Sequence, residues 1–249
     1  MTEQLAPSEI GTLAWLEATG GRLDRRARSQ LLRGIFPMIR AGFRLRRAAK
    51  RSPRYGAPLD PFEPPDTAMV RAAREHLDAH SCRAMAHHAI RTAFWTAVVL
   101  DQHGALDDRA LETAWVAALL HDVGLEQPAE RGDFSAGGVA VLHQLAHDHH
   151  WSDDQTRDAG EAIAVNLSTR VDPARVGAIA WAMNVGGTGE LGVWPHRAQL
   201  RRDRIRELEA RYPRDGFRAE ALRLIRDEAR RLPDGRFALF KTIYWLLMR

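Results

Sequence analysis

Apolar residues recur along most of this chain at helical spacing, and no convincing alternating strand pattern or internal repeat breaks the rhythm. The spacing predicts helices over about 66–79, 82–101, 107–121 and 135–149. Ser152-Asp-Asp-Gln155 is a capping box for the next helix, which ends near Asn166. Asp172-Pro173 opens another, with proline where its missing N–H costs nothing. Helices over 197–211, 215–231 and 236–248 complete the pattern. Upstream, Ser8 reads as the cap of a short helix ending near Gly20-Gly21. Residues 22–51 form a basic amphipathic stretch, interrupted by Pro37, with Leu31, Leu32, Ile35, Ile39, Phe43 and Leu45 as apolar members. The proline-rich residues 52–65 read as a surface connector. The expectation is an all-α fold: a helical bundle over 61–249, with a helical extension and connector over 1–60.

Two predicted helices bury chemistry. Leu111, Ala114, Trp115 and Ala118 form one stripe that His121 continues, so His121 and Asp122 arrive together at its inner end. Val123-Gly124 then reads as the helix stop. On the preceding helix His88 shares a face with Met85, Thr92 and Trp95, while His87 lies about 100° round. Burying such groups without partners costs several kcal/mol. Imidazole and carboxylate are also good ligands for a divalent metal. The plain alternative is a helix-end histidine beside a solvated aspartate.

A buried histidine on one helix and a His-Asp pair ending the next resembles the HD metal-dependent superfamily, and within it the cyanamide-hydratase-like branch. The residues that carry the resemblance begin with Pro65-Asp66-Thr67, Ala86-His87-His88-Ala89-Ile90-Arg91-Thr92 and Ala117-Ala118-Leu119-Leu120-His121-Asp122-Val123-Gly124-Leu125. Phe134 to Gly138, Glu161-Ala162-Ile163, Arg211-Tyr212-Pro213-Arg214 and Gly216-Phe217 follow in the family's order. The resemblance covers about residue 60 to the C-terminus. Two positions depart from it. Asn166 stands where such proteins carry a further histidine, and Gly189, with Glu190 one place along, where they carry a late aspartate.

The resemblance implies a divalent metal, zinc or iron with manganese as a third candidate, held by His88, His121 and Asp122. With two ligands replaced, the ion would be weakly held. Its bound water would attack a small polar molecule, giving hydratase, hydrolase or related lyase chemistry. Asn166 would orient that substrate, Glu190 or Glu161 would move a proton, and Arg91 would hold an anionic or carbonyl group or, equally, form a salt bridge at the surface or behind the site. No further basic cluster adjoins the motif, which disfavours phosphate esters. The competing reading is a catalytically altered or metal-free HD fold retained as a binding module.

Composition adds bounds. Only Lys50 and Lys241 are lysines among 36 Lys and Arg, a bias of GC-rich coding that suggests a bacterial source. The net charge of +4 is concentrated in residues 22–51, a stretch that could meet nucleic acid or a membrane surface, or pack on the domain or in a homodimer. A charged helix face that is merely solvated is the favoured reading there. The single Cys82 excludes an internal disulfide and fits a reducing cytoplasm. No secretory leader or long uncharged apolar run is present, so membrane spanning is not expected. His143, His147 and His150 share a helix face at zinc-like spacing, yet the sequence around them reads as solvated surface. Gly187-Thr-Gly-Glu-Leu-Gly192 matches the dinucleotide fingerprint in letters alone; without a strand before it, it reads as a helix terminator and loop.

Overall fold

The computed structural model describes residues 10–49, 55–169, 171–191 and 200–247. Among them the protein is all-α, with no strand. The elements are α1 (Leu13–Thr19), α2 (Arg25–Ala49), a 3-10 turn (Asp60–Phe62), α3 (Ala68–His80), α4 (Arg83–Gln102), α5 (Asp108–Leu120) and α6 (Val123–Glu126). Then follow α7 (Phe134–Asp148), α8 (Asp153–Val165), α9 (Pro173–Val176), α10 (Ala178–Glu190), α11 (Arg202–Arg211), α12 (Phe217–Arg231) and α13 (Arg236–Leu247).

Helix starts are set by side-chain caps. Thr67, Asp107 and Ser152 each accept a backbone N–H three residues on, satisfying donors that the first turn leaves unpaired. The expected cap Ser8 lies outside the described residues; α1 starts instead at Thr12, whose hydroxyl accepts from Trp15 N. The helix expected at 197 starts at Arg202. Pro37 does not interrupt α2, which runs through it.

Helices α4 and α5 form the centre, with α8 and α10 laid against them. Ile90, Ala93, Phe94 and Ala97 of α4 meet Ala114, Trp115 and Ala118 of α5 in one core that excludes water. Leu13, Trp15 and Leu16 of α1, and Leu23, Ala27 and Leu31 leading into α2, join the same core. The connector is pinned from beneath, where Trp115 Nε1 donates to the Phe62 carbonyl at 3.0 Å. A smaller apolar cluster gathers Met85, Leu125, Phe134, Leu167, Phe217, Ala221, Ile225 and Phe237.

The segment 187–192 does terminate a helix, since α10 ends at Glu190, but Gly187 to Glu190 is helix and not loop; Gly192 lies outside the described residues. A Cβ on Gly186 would lie 2.8 Å from the Thr96 backbone nitrogen, so the glycine lets α10 approach α4. Likewise Gly124 does not stop a helix in the left-handed conformation. It sits in α6, where a Cβ would lie 2.0 Å from the Phe134 carbonyl oxygen. The helix opened by Asp172-Pro173 is instead split by Gly177, whose φ of 86° ends α9 and begins α10.

Candidate metal centre

The inner ends of α4, α5 and α10 meet at one point. His88 projects from α4 and is buried, and His121 ends α5 and is buried as well. Asp122 follows directly, its side chain 16% exposed and therefore reachable from a pocket. The structure brings these three together. His88 Nε2 lies 3.4 Å from Asp122 Oδ2, and His121 Nε2 lies 3.1 Å from the same oxygen. One ligand atom from each falls within 4.8 Å of the other two. Two atoms each about 2.1 Å from one tetrahedral ion sit about 3.4 Å apart, so the spacing fits a shared cation.

Both imidazoles are held from behind. His121 Nδ1 donates to the Ala118 carbonyl at 2.7 Å, and His88 Nδ1 donates to Glu190 Oε2 at 2.7 Å. Committing each Nδ1 to donation points each Nε2 at Asp122; an ion there would take the Nε2 lone pairs and, at His88, displace the proton that Glu190 and Asp122 favour. Phe217 stacks on the His88 ring with centroids 4.5 Å apart and fixes its plane.

Glu190 is wholly buried. Arg91 Nε donates to its Oε1 at 2.6 Å, and Arg214 Nη1 donates to the same oxygen at 2.8 Å and to the Glu190 carbonyl at 2.7 Å. Burial would raise the Glu190 pKa, but His88 and the two arginines outweigh it and hold it at about 2. Arg91, itself fully buried, donates through Nη1 to the carbonyls of Tyr212 and Pro213. Burial alone would lower the His88 pKa; Glu190 and Asp122 raise it to about 9. At Asp122 burial opposes ionisation, yet His121 and His88 keep its carboxyl well below the usual range.

The triad floors a pocket of about 480 Å³, counted with its open mouth. Asn166 and Thr188 are the other polar lining residues; the walls are apolar, from Met85, Leu125, Leu167, Leu191, Phe217 and Ile225 among others. Asn166 caps the end of α8, and its loop is secured by Asn184, whose Nδ2 donates to the carbonyls of Val165, Asn166 and Ser168. No protein hydrogen bond occupies the Asn166 amide among the described residues, so it is available to a guest. The Thr188 hydroxyl donates back to Asn184 and Val185, leaving only its lone pairs for a ligand.

Several expected sites fall elsewhere. Glu190 and Arg91 stand behind His88 and do not line the pocket, because their charges are spent on each other and on Arg214. That placement keeps both side chains off the pocket wall, with the Arg91–Glu190 ion pair behind His88. Glu161 turns to α1, where it accepts from Leu13 N at 2.8 Å. Gly189 faces a separate apolar cleft with Trp95, Val98 and Val99, so it is not a vacated ligand position. His143, His147, His149 and His150 are exposed. Arg214 and Phe217 were not read as site residues from the sequence, although both lie in segments that carry the resemblance, Arg211-Tyr212-Pro213-Arg214 and Gly216-Phe217.

No family model matches the chain. No curated protein matches it either.

Proposed function

We propose that the protein is a metal-dependent hydratase or hydrolase of the HD type, or a related lyase, acting on a small uncharged molecule. One observation carries this reading. Two imidazole nitrogens, each ring backed by a hydrogen bond from its Nδ1, converge with a carboxylate oxygen at the floor of a mostly apolar pocket.

His88, His121 and Asp122 would hold zinc, iron or manganese. Such an ion supplies Lewis acidity that brings the pKa of a water toward neutrality. The chain's own residues do the rest. Glu190, clamped by Arg91 and Arg214, keeps the His88 ring from rotating away. Asn166 offers one donor and one acceptor to a substrate carbonyl, amide or cyano group. Phe217, Leu125, Leu191 and Ile225 exclude bulk water, which strengthens each polar contact inside. Apart from the two histidines at the floor, none of the described lining residues is basic, so the walls offer a phosphate no lysine or arginine. This supports uncharged substrates over phosphate esters. The unpaired Cys82 accords with a reducing cytoplasm.

The test is turnover by protein reconstituted with zinc, iron or manganese on two panels: uncharged nitriles and amides, and phosphomonoesters. Turnover is expected on the uncharged panel, falling at least about 100-fold in Asp122→Asn. Turnover confined to phosphomonoesters would overturn the substrate side. Retention of metal-free binding alone would favour the competing reading, an HD fold kept as a binding module.

A further inference from the structure

The large hydrophobic side chains left exposed among the described residues are Leu32, at 48%, and Phe36, at 68%. They lie one turn apart on the same helix, so they form one outward stripe. That helix, α2, carries eight arginines and no acidic residue. Arg33, Arg40, Arg44 and Arg47 are exposed. They stand three, four, eight and eleven residues from Phe36, which places them on its side of the helix. Over the first part of the helix the opposing face is satisfied, since Ala27 and Leu31 enter the core and Ile35 packs against it. That part of the helix is thus anchored on one side, and presents an apolar stripe bordered by guanidinium groups on another.

We propose that this outward face of α2 docks the protein onto an anionic lipid surface. Leu32 and Phe36 enter the headgroup boundary while the flanking arginines keep their long stems apolar and their charges at the lipid phosphates. Charge complementarity selects this occupant. A second copy would bring the same unbroken set of arginines against itself, a like-charge contact. A nucleic acid would reward the arginines but gains nothing from Leu32, which has no π face to stack on a base. No helix among the described residues is long and apolar enough to cross a membrane, so the association is peripheral and reversible.

The experiment uses the full chain and vesicle co-sedimentation, comparing phosphatidylcholine vesicles with vesicles that also contain phosphatidylserine. Binding is expected only with phosphatidylserine, and it should weaken as salt rises. Arg33→Gln with Arg40→Gln should weaken it about 25-fold, roughly five-fold per arginine near the surface. Leu32→Ser with Phe36→Ser should weaken it at least about ten-fold while leaving the helical circular dichroism unchanged, since both side chains already face solvent. Absence of phosphatidylserine-dependent binding would overturn the proposal. So would a dimer that Leu32→Ser with Phe36→Ser splits, or duplex DNA binding that this pair leaves intact while the arginine pair abolishes both DNA and vesicle binding.

Discussion

Glu190 gives up all contact with water, and the loss is offset only because three cationic or donor groups converge on it. Removing that charge leaves Arg91 buried without its anion and lets the His88 ring turn. We therefore expect Glu190→Gln to lower metal affinity about 10- to 100-fold, measured by titration at a temperature where both proteins are folded. Unchanged affinity would reduce Glu190 to a purely structural salt bridge. Asn166 makes a complementary prediction. It lines the pocket, so Asn166→His should tighten the metal about ten-fold or more, whereas Gly189→Asp, on the far side of α10, should leave affinity unchanged. Tightening by both would place Gly189 at the ion and contradict the structure. Residue chemistry was legible where it was local: His88 and His121 fall on helix stripes that periodicity picks out and Asp122 follows directly, while their reading as one ligand set came from the resemblance. The role of Glu190 was not, because it depends on Arg214, and that pair lies 24 residues apart with α11 between.

At the scale of elements, α4 and α10 approach as closely as glycine allows. Gly186→Ala inserts a methyl 2.8 Å from a backbone nitrogen that cannot move aside, and should destabilise by about 1–3 kcal/mol. Gly189→Ala is the control: nothing lies within 4 Å of its Cβ, and the helix should gain about 0.5–1 kcal/mol. Thermal or denaturant unfolding of the two variants reads opposite signs if α10 is helical through Glu190, and losses at both if Gly187 to Glu190 is a loop. The Ser152 cap was readable in advance because a cap acts within one turn. The glycines were not, because the same letter serves a loop or a close helix crossing, and only the neighbouring helix decides.

Across the whole molecule one buried cation joins distant parts of the chain. Arg236 Nε donates to Asp133 at 2.7 Å, its Nη1 to the Ala164 carbonyl at 2.6 Å and its Nη2 to Ser135 at 2.8 Å. It also lies over the rings of Trp15 and Phe134. The start of α13 is thereby tied to α7, the end of α8 and α1. Arg236→Ala should cost about 3–5 kcal/mol in denaturant unfolding, because Asp133 is left charged and buried. Arg236→Met with Asp133→Asn should recover part of that loss. A cost below about 1 kcal/mol for the single variant would show that the junction does not hold these helices together. Such long-range ties leave no periodic trace, so the helices were legible in the sequence and their junctions were not. The candidate metal centre is where both scales meet, and elemental analysis of protein purified without chelator tests it most directly, with wild type and His121→Ala measured side by side. About one zinc, iron or manganese is expected per wild-type chain and almost none in His121→Ala, with circular dichroism unchanged. No metal in the wild type even after reconstitution, or equal metal in both proteins, would contradict it.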